Sequence, residues 1–434
     1  MIYFAPGCGK NSWLLSPRPI RPGGFRMAKI LMLLAALLLV PAVAAAQQAG
    51  QSPAPAATAQ PAEQHPAPTG DPIVIGGLFA QSGPAAVVGT PSKLVAEMTV
   101  KQINAMGGIL GRPLKLIAYD TESSPDVALR EARKLVEGDH VLAIVGPTST
   151  GEGLAVKKYT EEKHVPVIMT VGGDAVIAGG KFGPYDWTFK APQRTATAVA
   201  KIYEYLKGKN ISKIAVMSSK DAFGQDGLTE LKQNASKFGI DIIASETFDP
   251  KGTDFSAQAF KLQAAKPQAV VVWTIGPAGA IAAKNFASLP GERPLLVECH
   301  GQPGPNYLKL AGEAAGGTVM PGTKLMAPET LPDEDPQKIV IEAFIKAYND
   351  AGIQEKFPLN THSGYAYDAL TLLRAGLEKA GKADPEALRE ALENLHHVVG
   401  VSGVYNLSSQ DHNGLGPDSM IMLIVDSGRF KLAP

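Results

Sequence analysis

Three consecutive hydroxyl residues, Thr148, Ser149 and Thr150, stand between an apolar run and an amphipathic one. At such a place the free N–H groups and positive dipole end of a helix meet side-chain hydroxyls, which suits a small carboxylate. Helix capping uses the same residue types without any ligand. Ser149 also lies where a nucleophile can stand, but Gly146-Pro147-Thr148-Ser149-Thr150-Gly151 lacks the spacing of a G-x-S-x-G elbow. There is no Walker loop and no complete G-x-G-x-x-G fingerprint. Gly107-Gly108-Ile109-Leu110-Gly111 follows a helix pattern rather than a strand and reads as a turn. Cys299-His300 are adjacent, with no third group to orient them, and His396-His397 near His412 lack metal-ligand spacing. The residues therefore point to anion capture, with no catalysis, cofactor or metal expected.

The elements that must position this loop follow from periodicity. Strand patterns at 73–79, 114–119, 141–145 and 165–169 alternate with helix patterns at 91–106, 125–137 and 151–162. A link at 187–190 leads to a second series. Its strands are expected at 213–217, 240–244, 269–273 and 295–297, and its helices at 193–207, 228–238, 255–265 and 278–287. Helix patterns at 336–351, 364–380 and 385–395 and a strand at 420–425 close the chain. Such a βαβ order predicts an α/β fold with parallel sheets covered on both faces. In such sheets ligands bind at the carboxyl ends of strands, where residues 148–150 fall.

The chain has 434 residues, with 41 basic and 41 acidic side chains. Residues 30–40 are wholly apolar, follow Arg26 and Lys29, and lead to Pro41 and Ala44-Ala45-Ala46. This is the pattern of a cleavable signal peptide, too short to span a bilayer, and Met27 is the expected true start. Residues 1–46 are thus read as leader, and the Pro/Ala-rich residues 47–70 as a disordered tether. Removing the leader leaves 36 basic against 41 acidic side chains, a mildly acidic chain with no electrostatic reason to bind nucleic acid. Cys8 lies in the leader, so Cys299 has no intrachain partner afterwards.

An ordered set of short motifs is similar to a known family. Ile73-Val74-Ile75-Gly76, Gln81-Ser82-Gly83-Pro84, Ile103-Asn104-Ala105 through Gly111, Tyr119-Asp120, Ala222-Phe223-Gly224, Gly252-Thr253-Asp254-Phe255, Leu310-Ala311-Gly312-Glu313 and Tyr365-Ala366-Tyr367-Asp368 run in its order. The chain resembles type I periplasmic solute-binding proteins, in particular the leucine/isoleucine/valine-binding group that serves ABC importers. The resemblance implies two doubly wound lobes joined by three crossings. Lobe 1 would be residues 71–190 plus 323–401, and lobe 2 residues 191–322 plus 402–434.

It also implies a ligand site. Thr148, Ser149 and Thr150 would hold a carboxylate. Gly172, Gly173 and Asp174 would lie beside an ammonium, although Asp174 serves equally as a helix N-cap. Phe223 would close from the second lobe, Trp273 or Thr274 would add to that wall, and Tyr367 would line the pocket; each aromatic can equally be core. Two departures matter. His300 takes the place of the family's ammonium-binding glutamate, with Glu298 two residues earlier, and Val88 replaces a wall tyrosine. Ser123 and Ser149 stand where some members carry a disulfide. The implied function is a monomeric periplasmic binding protein that presents a carboxylate-bearing ligand, an amino acid or an aromatic or aliphatic acid, to an ABC permease. A ligand-sensing regulator on the same fold and an enzyme on a doubly wound scaffold are the alternatives.

Overall fold

The computed structural model describes residues 66–434. The expected leader, its cleavage site, Cys8 and most of the tether lie outside the described residues. Among the described residues no helix is long and apolar enough to cross a membrane.

Five short strands form the first sheet: β1 (Ile73–Phe79), β2 (Leu114–Asp120), β3 (Ile144–Val145), β4 (Val167–Met169) and β5 (Thr188–Lys190). Their order is β2-β1-β3-β4-β5, and every pairing is parallel. The second sheet contains β6 (Lys213–Ser219), β7 (Asp241–Phe248), β8 (Ala269–Trp273), β9 (Leu295–Glu298) and β10 (Val319–Gly322). A small hairpin, β11 (Val398–Val399) with β12 (Val404–Tyr405), stands apart. The chain then returns to the second sheet with β13 (Ile421–Asp426) and β14 (Arg429–Leu432). That sheet runs β7-β6-β8-β9-β10-β13-β14, parallel as far as β10 and antiparallel beyond it. Both sheets thus repeat one doubly wound order, with a switch point between β1 and β3 in the first and between β6 and β8 in the second.

Apolar side chains fill both faces of each sheet. Ile75, Phe79, Val145 and Phe189 pack with Phe344, Leu370 and Leu373 on one face of the first sheet. Leu78, Ile144, Val167 and Met169 pack with Val156 and Leu135 on the other. In the second sheet Met217, Val270 and Met320 face one way, and Val216, Val271 and Val297 the other. Burial on both faces explains the unbroken apolar runs that marked these strands in the sequence.

The chain passes from the first sheet to the second after Lys190, returns after Gly322, and leaves again before Ile421. These passages lie side by side. Asn413 Nδ2 donates to the carbonyls of Lys190 (3.0 Å) and Pro192 (2.7 Å). Gln193 Nε2 donates to the carbonyls of Ser402 (2.6 Å) and Ser419 (3.3 Å). Tyr405, Leu407 and Leu415 pack into the same apolar cluster as Ile75 and Phe189.

Several element ends differ from the sequence reading. The first helix is Ala86–Ala105, a turn longer at its start, so Pro91 lies inside it rather than opening it. β7 extends four residues past its expected end, to Phe248. β14 was not foreseen, although Ser427 and Gly428, both at positive φ, form the primed turn that a hairpin requires. The early helix start brings Gly89 against the end of β1, where a Cβ would stand 2.1 Å from the Ala80 carbonyl oxygen. Backbone cannot yield as a side-chain tip can. Gly89→Ala is therefore expected to destabilise the fold by about 1–3 kcal/mol or more, read as a lowered midpoint in urea with an unchanged slope.

Candidate functional site

The carboxyl ends of the two sheets face one another across a small cavity of about 20 Å³. Thr148, Ser149 and Thr150, after β3, form one wall, with Thr170 and Gly172 after β4 beside them. Phe223, Ile275, His300 and Gly301, from loops after β6, β8 and β9, form the opposite wall. Val88, His362 and Tyr365 complete the lining from the first helix and the helical return.

The hydroxyl loop has the structure its sequence suggests. Ser149 caps the helix Thr150–Lys163, and Glu152 reaches back to the Ser149 N–H at 2.7 Å, closing a capping box. Glu152 is fully buried. Its other oxygen accepts from the Thr121 hydroxyl, and burial raises its carboxyl above the usual carboxylate range. Thr150 Oγ1 accepts from the Gly173 N–H at 3.1 Å, which leaves its own proton free to donate. The N–H groups of Thr150 and Gly151 belong to the first turn, where the helix supplies no acceptor. The loop thus combines free backbone donors with hydroxyls at a positive helix end.

The opposite wall is aromatic. Phe223 lies at the start of the helix Ala222–Phe238, which Asp221 caps through a 2.8 Å bond from the Gly224 N–H. His300 is 2 % exposed and is held edge-on by Phe223 and Trp273, each with ring centroids 5.5 Å away. Neither ring nitrogen of His300 has a well-aligned hydrogen-bond partner among the described residues, although the Gly172 backbone lies close enough to favour its proton. Burial holds the imidazole neutral, with its pKa lowered to about 3. The walls approach closely: a Cβ on Gly172 would lie 2.7 Å from the Phe223 ring and 3.2 Å from His300 Nε2.

Hydrogen bonds hold the walls together beside the cavity. His362 Nε2 bonds the Gly301 carbonyl at 3.0 Å, and the Thr361 N–H donates to the Pro303 carbonyl at 3.1 Å. Asp226, on the Phe223 helix, accepts from the N–H groups of Asp174 (2.9 Å) and Ala175 (3.2 Å) and from the Thr195 hydroxyl (2.6 Å). Burial, then the neighbouring Asp174 charge, raises the Asp226 carboxyl.

The structure sorts the sequence candidates. Thr148, Ser149, Thr150, Gly172, Phe223 and His300 come together around the cavity; Gly173 stands just behind Thr150. Asp174, Trp273, Thr274 and Tyr367 do not line it. Asp174 instead pairs with Lys190 (3.0 Å) and accepts from the N–H groups of Thr195 and Ala196, so it caps a helix 21 residues further on rather than its own short turn. Trp273 backs Phe223 and His300 from the core. The Thr274 carbonyl accepts from Cys299 Sγ and Gln302 Nε2. Tyr367 packs on Phe344. Two positions on a helix differ by roughly 200°, so of Tyr365 and Tyr367 only the first meets the cavity.

Thr170, Ile275, Gly301, His362 and Tyr365 were not singled out from sequence. Tyr365 had a signal, since it opens the Tyr-Ala-Tyr motif. Nothing in one sequence marks His362.

Other polar candidates are engaged elsewhere. Burial raises the Cys299 thiol to about 12, far from a thiolate nucleophile. The His412 ring stacks on Phe189 at 4.2 Å, and its Nδ1 bonds the Thr188 carbonyl. Among the described residues no cluster of three His, Cys, Asp or Glu is placed to hold a metal.

Two outcomes follow. Removing one partner of a buried ion pair strands the other, so Asp174→Ala should lower unfolding free energy by about 3–5 kcal/mol in urea. His300 stays neutral in the fold but takes up a proton near pH 6.5 when unfolded. Its contribution to stability is therefore intact above pH 6.5 and declines as pH falls from there toward 3. Between pH 7.5 and 5 the melting temperature of the unsubstituted chain should fall more than that of His300→Asn.

The chain matches the periplasmic binding protein family over residues 72–429. It is 26 % identical over 324 residues to the Leu/Ile/Val-binding protein BraC3 of Rhizobium johnstonii, covering 74 % of this chain and 83 % of that one. It is 29 % identical over 317 residues to the leucine-, isoleucine-, valine-, threonine- and alanine-binding protein of Pseudomonas aeruginosa, covering 72 % and 79 %. Among solved structures, Rp1789 of Rhodopseudomonas palustris superimposes with a TM-score of 0.77 at 26 % identity, covering 84 % of this chain and all of that one.

Proposed function

The chain belongs to the periplasmic binding protein family, and from that premise we propose that it captures a small carboxylate-bearing ligand for an ABC importer of the branched-chain amino-acid type. The observation that carries this reading is the hydroxyl-capped start of the helix Thr150–Lys163, set across a small cavity from Phe223 and His300.

In this reading the two sheets are the cores of two lobes that hinge at the passages after Lys190, after Gly322 and before Ile421. With the lobes apart, the carboxylate docks on the N–H groups of Thr150 and Gly151 and on the hydroxyls beside them. Closure then adds Phe223, Ile275 and His300 from the second lobe. Only interactions made in the closed form and absent from the open one shift the population toward closure. Asp226 adds to them, because its bonds to Asp174 and Ala175 join the lobes. No bond in the ligand is made or broken. The closed surface is what a membrane permease would recognise, and the leader pattern supports a periplasmic location. The ligand class at this level comprises amino acids and aromatic or aliphatic acids.

The test is a thermal-shift screen of the purified protein. It compares leucine, isoleucine and valine with benzoate, phenylacetate and short branched aliphatic acids. A ligand that binds only the folded state at a hundred times its Kd adds about 2.7 kcal/mol. At least one carboxylate should raise the melting temperature by several degrees, and Thr150→Val should reduce that rise. Equal melting curves with every carboxylate would contradict the reading.

A further inference from the structure

We propose that the ligand carries a neutral oxygen, hydroxyl or oxo, in addition to its carboxylate, and that His300 selects it over an ammonium. This deepens the carboxylate-capture reading above and rests on it.

No residue lining the cavity carries a formal charge at neutral pH. Three of the nearby acidic side chains are committed elsewhere. Asp174 is bound to Lys190 and to two backbone N–H groups. Asp226 is bound to the Asp174 and Ala175 N–H groups and the Thr195 hydroxyl. Glu152 is taken up by Ser149 and Thr121. Glu298 is fully buried outside the lining, without a hydrogen-bond partner among the described residues, and burial raises its carboxyl well above the usual range, toward the neutral form. The one buried cation nearby, Lys190, is spent on Asp174 and the Gln193 carbonyl. An ammonium brought here loses water and finds no counter-charge in the protein, a costly exchange.

His300 offers something different. Among the described residues neither of its ring nitrogens has a well-aligned partner, the Gly172 backbone being only a near neighbour, which is unusual for a buried polar side chain. Phe223 and Trp273 fix the ring plane, so the nitrogens are oriented before any ligand arrives. Burial keeps the ring neutral, so it presents one donor and one acceptor. A hydroxyl can use either, and an oxo group can use the donor. An ammonium needs three acceptors, and the ring offers it one.

A Cβ on Gly173 would lie 2.7 Å from Thr150 Oγ1, and a Cβ on Gly172 would lie 3.2 Å from His300 Nε2. His300 Nε2 and Thr150 Oγ1 thus approach two consecutive residues of one loop. Past Val88 and Gly301 the cavity borders a wider space of about 210 Å³, walled by Pro277, Pro303 and Leu310 together with Gln302, Asn306 and Lys309.

Calorimetric titration of the purified protein with two matched sets tests this. One set is leucine, 2-hydroxy-4-methylpentanoate, 4-methyl-2-oxopentanoate and 4-methylpentanoate. The other is phenylalanine, phenyllactate, phenylpyruvate and 3-phenylpropanoate. In at least one set the hydroxy or oxo acid should bind about tenfold tighter, or more, than both the amino acid and the unsubstituted acid. His300→Ala should bring it to within roughly threefold of the unsubstituted acid, and His300→Asn, a neutral donor and acceptor, should restore part of the difference. An amino acid binding tightest within its set would overturn the proposal and leave carboxylate capture standing. So would a hydroxy- or oxo-acid preference that survives His300→Ala. Binding of none of the eight compounds would overturn the carboxylate reading itself.

Discussion

Lys190 ends β5 with its ammonium wholly buried, and a buried ammonium needs acceptors. It finds Asp174 at 3.0 Å and the Gln193 carbonyl at 2.6 Å. Asp174 in turn holds the N–H groups of Thr195 and Ala196, at the start of the first helix beyond the crossing. One ion pair thus joins the loop after β4, the last strand of the first sheet and the first element of the second body. Burial lowers the affinity of Lys190 for its proton, and the Asp174 charge beside it opposes that effect. The geometry of the crossing, and with it the placement of Gly172 and Gly173, depends on this pair remaining intact.

The cavity takes its chemistry from where it sits relative to that anchor. Charges are used up at the hinge and at the flanks, by Lys190, Asp174 and Asp226. What faces inward is hydroxyl, backbone, aromatic ring and neutral imidazole. A lining of this kind can receive an anion on oriented donors without adding a fixed charge of its own. Repeated doubly wound order in both sheets brings the carboxyl ends of the strands face to face, so both lobes contribute to the lining.

Much of this was legible in the sequence, for identifiable reasons. Strands buried on both faces leave unbroken β-branched runs, so β1, β6 and β8 were placed to within two residues. Thr148–Thr150 was legible because a strand end followed by hydroxyls and a helix pattern has few local structures available. Asp174 was not, because a carboxylate before a short turn looks like that turn's own cap, and its partners lie 16 to 22 residues away. Tyr367 drew attention through its motif, but helical phase gives the cavity to Tyr365. His362 reaches the site from a separate stretch of chain, and a single sequence carries no trace of that tertiary meeting. β14 was missed although Ser427-Gly428 is a turn signal, because its four residues are too few to show a period.

The central claim is that the two walls meet around a bound carboxylate by a hinge motion. The most direct measurement is the distance between spin labels placed on Lys158→Cys in the first body and Lys261→Cys in the second, both exposed positions. Cys299 is fully buried and would not compete for the label. With the carboxylate that raises the melting temperature most, the distance distribution should narrow and shift to a single population that is minor or absent without it. A distribution that stays the same while the ligand is bound at saturation would contradict the account.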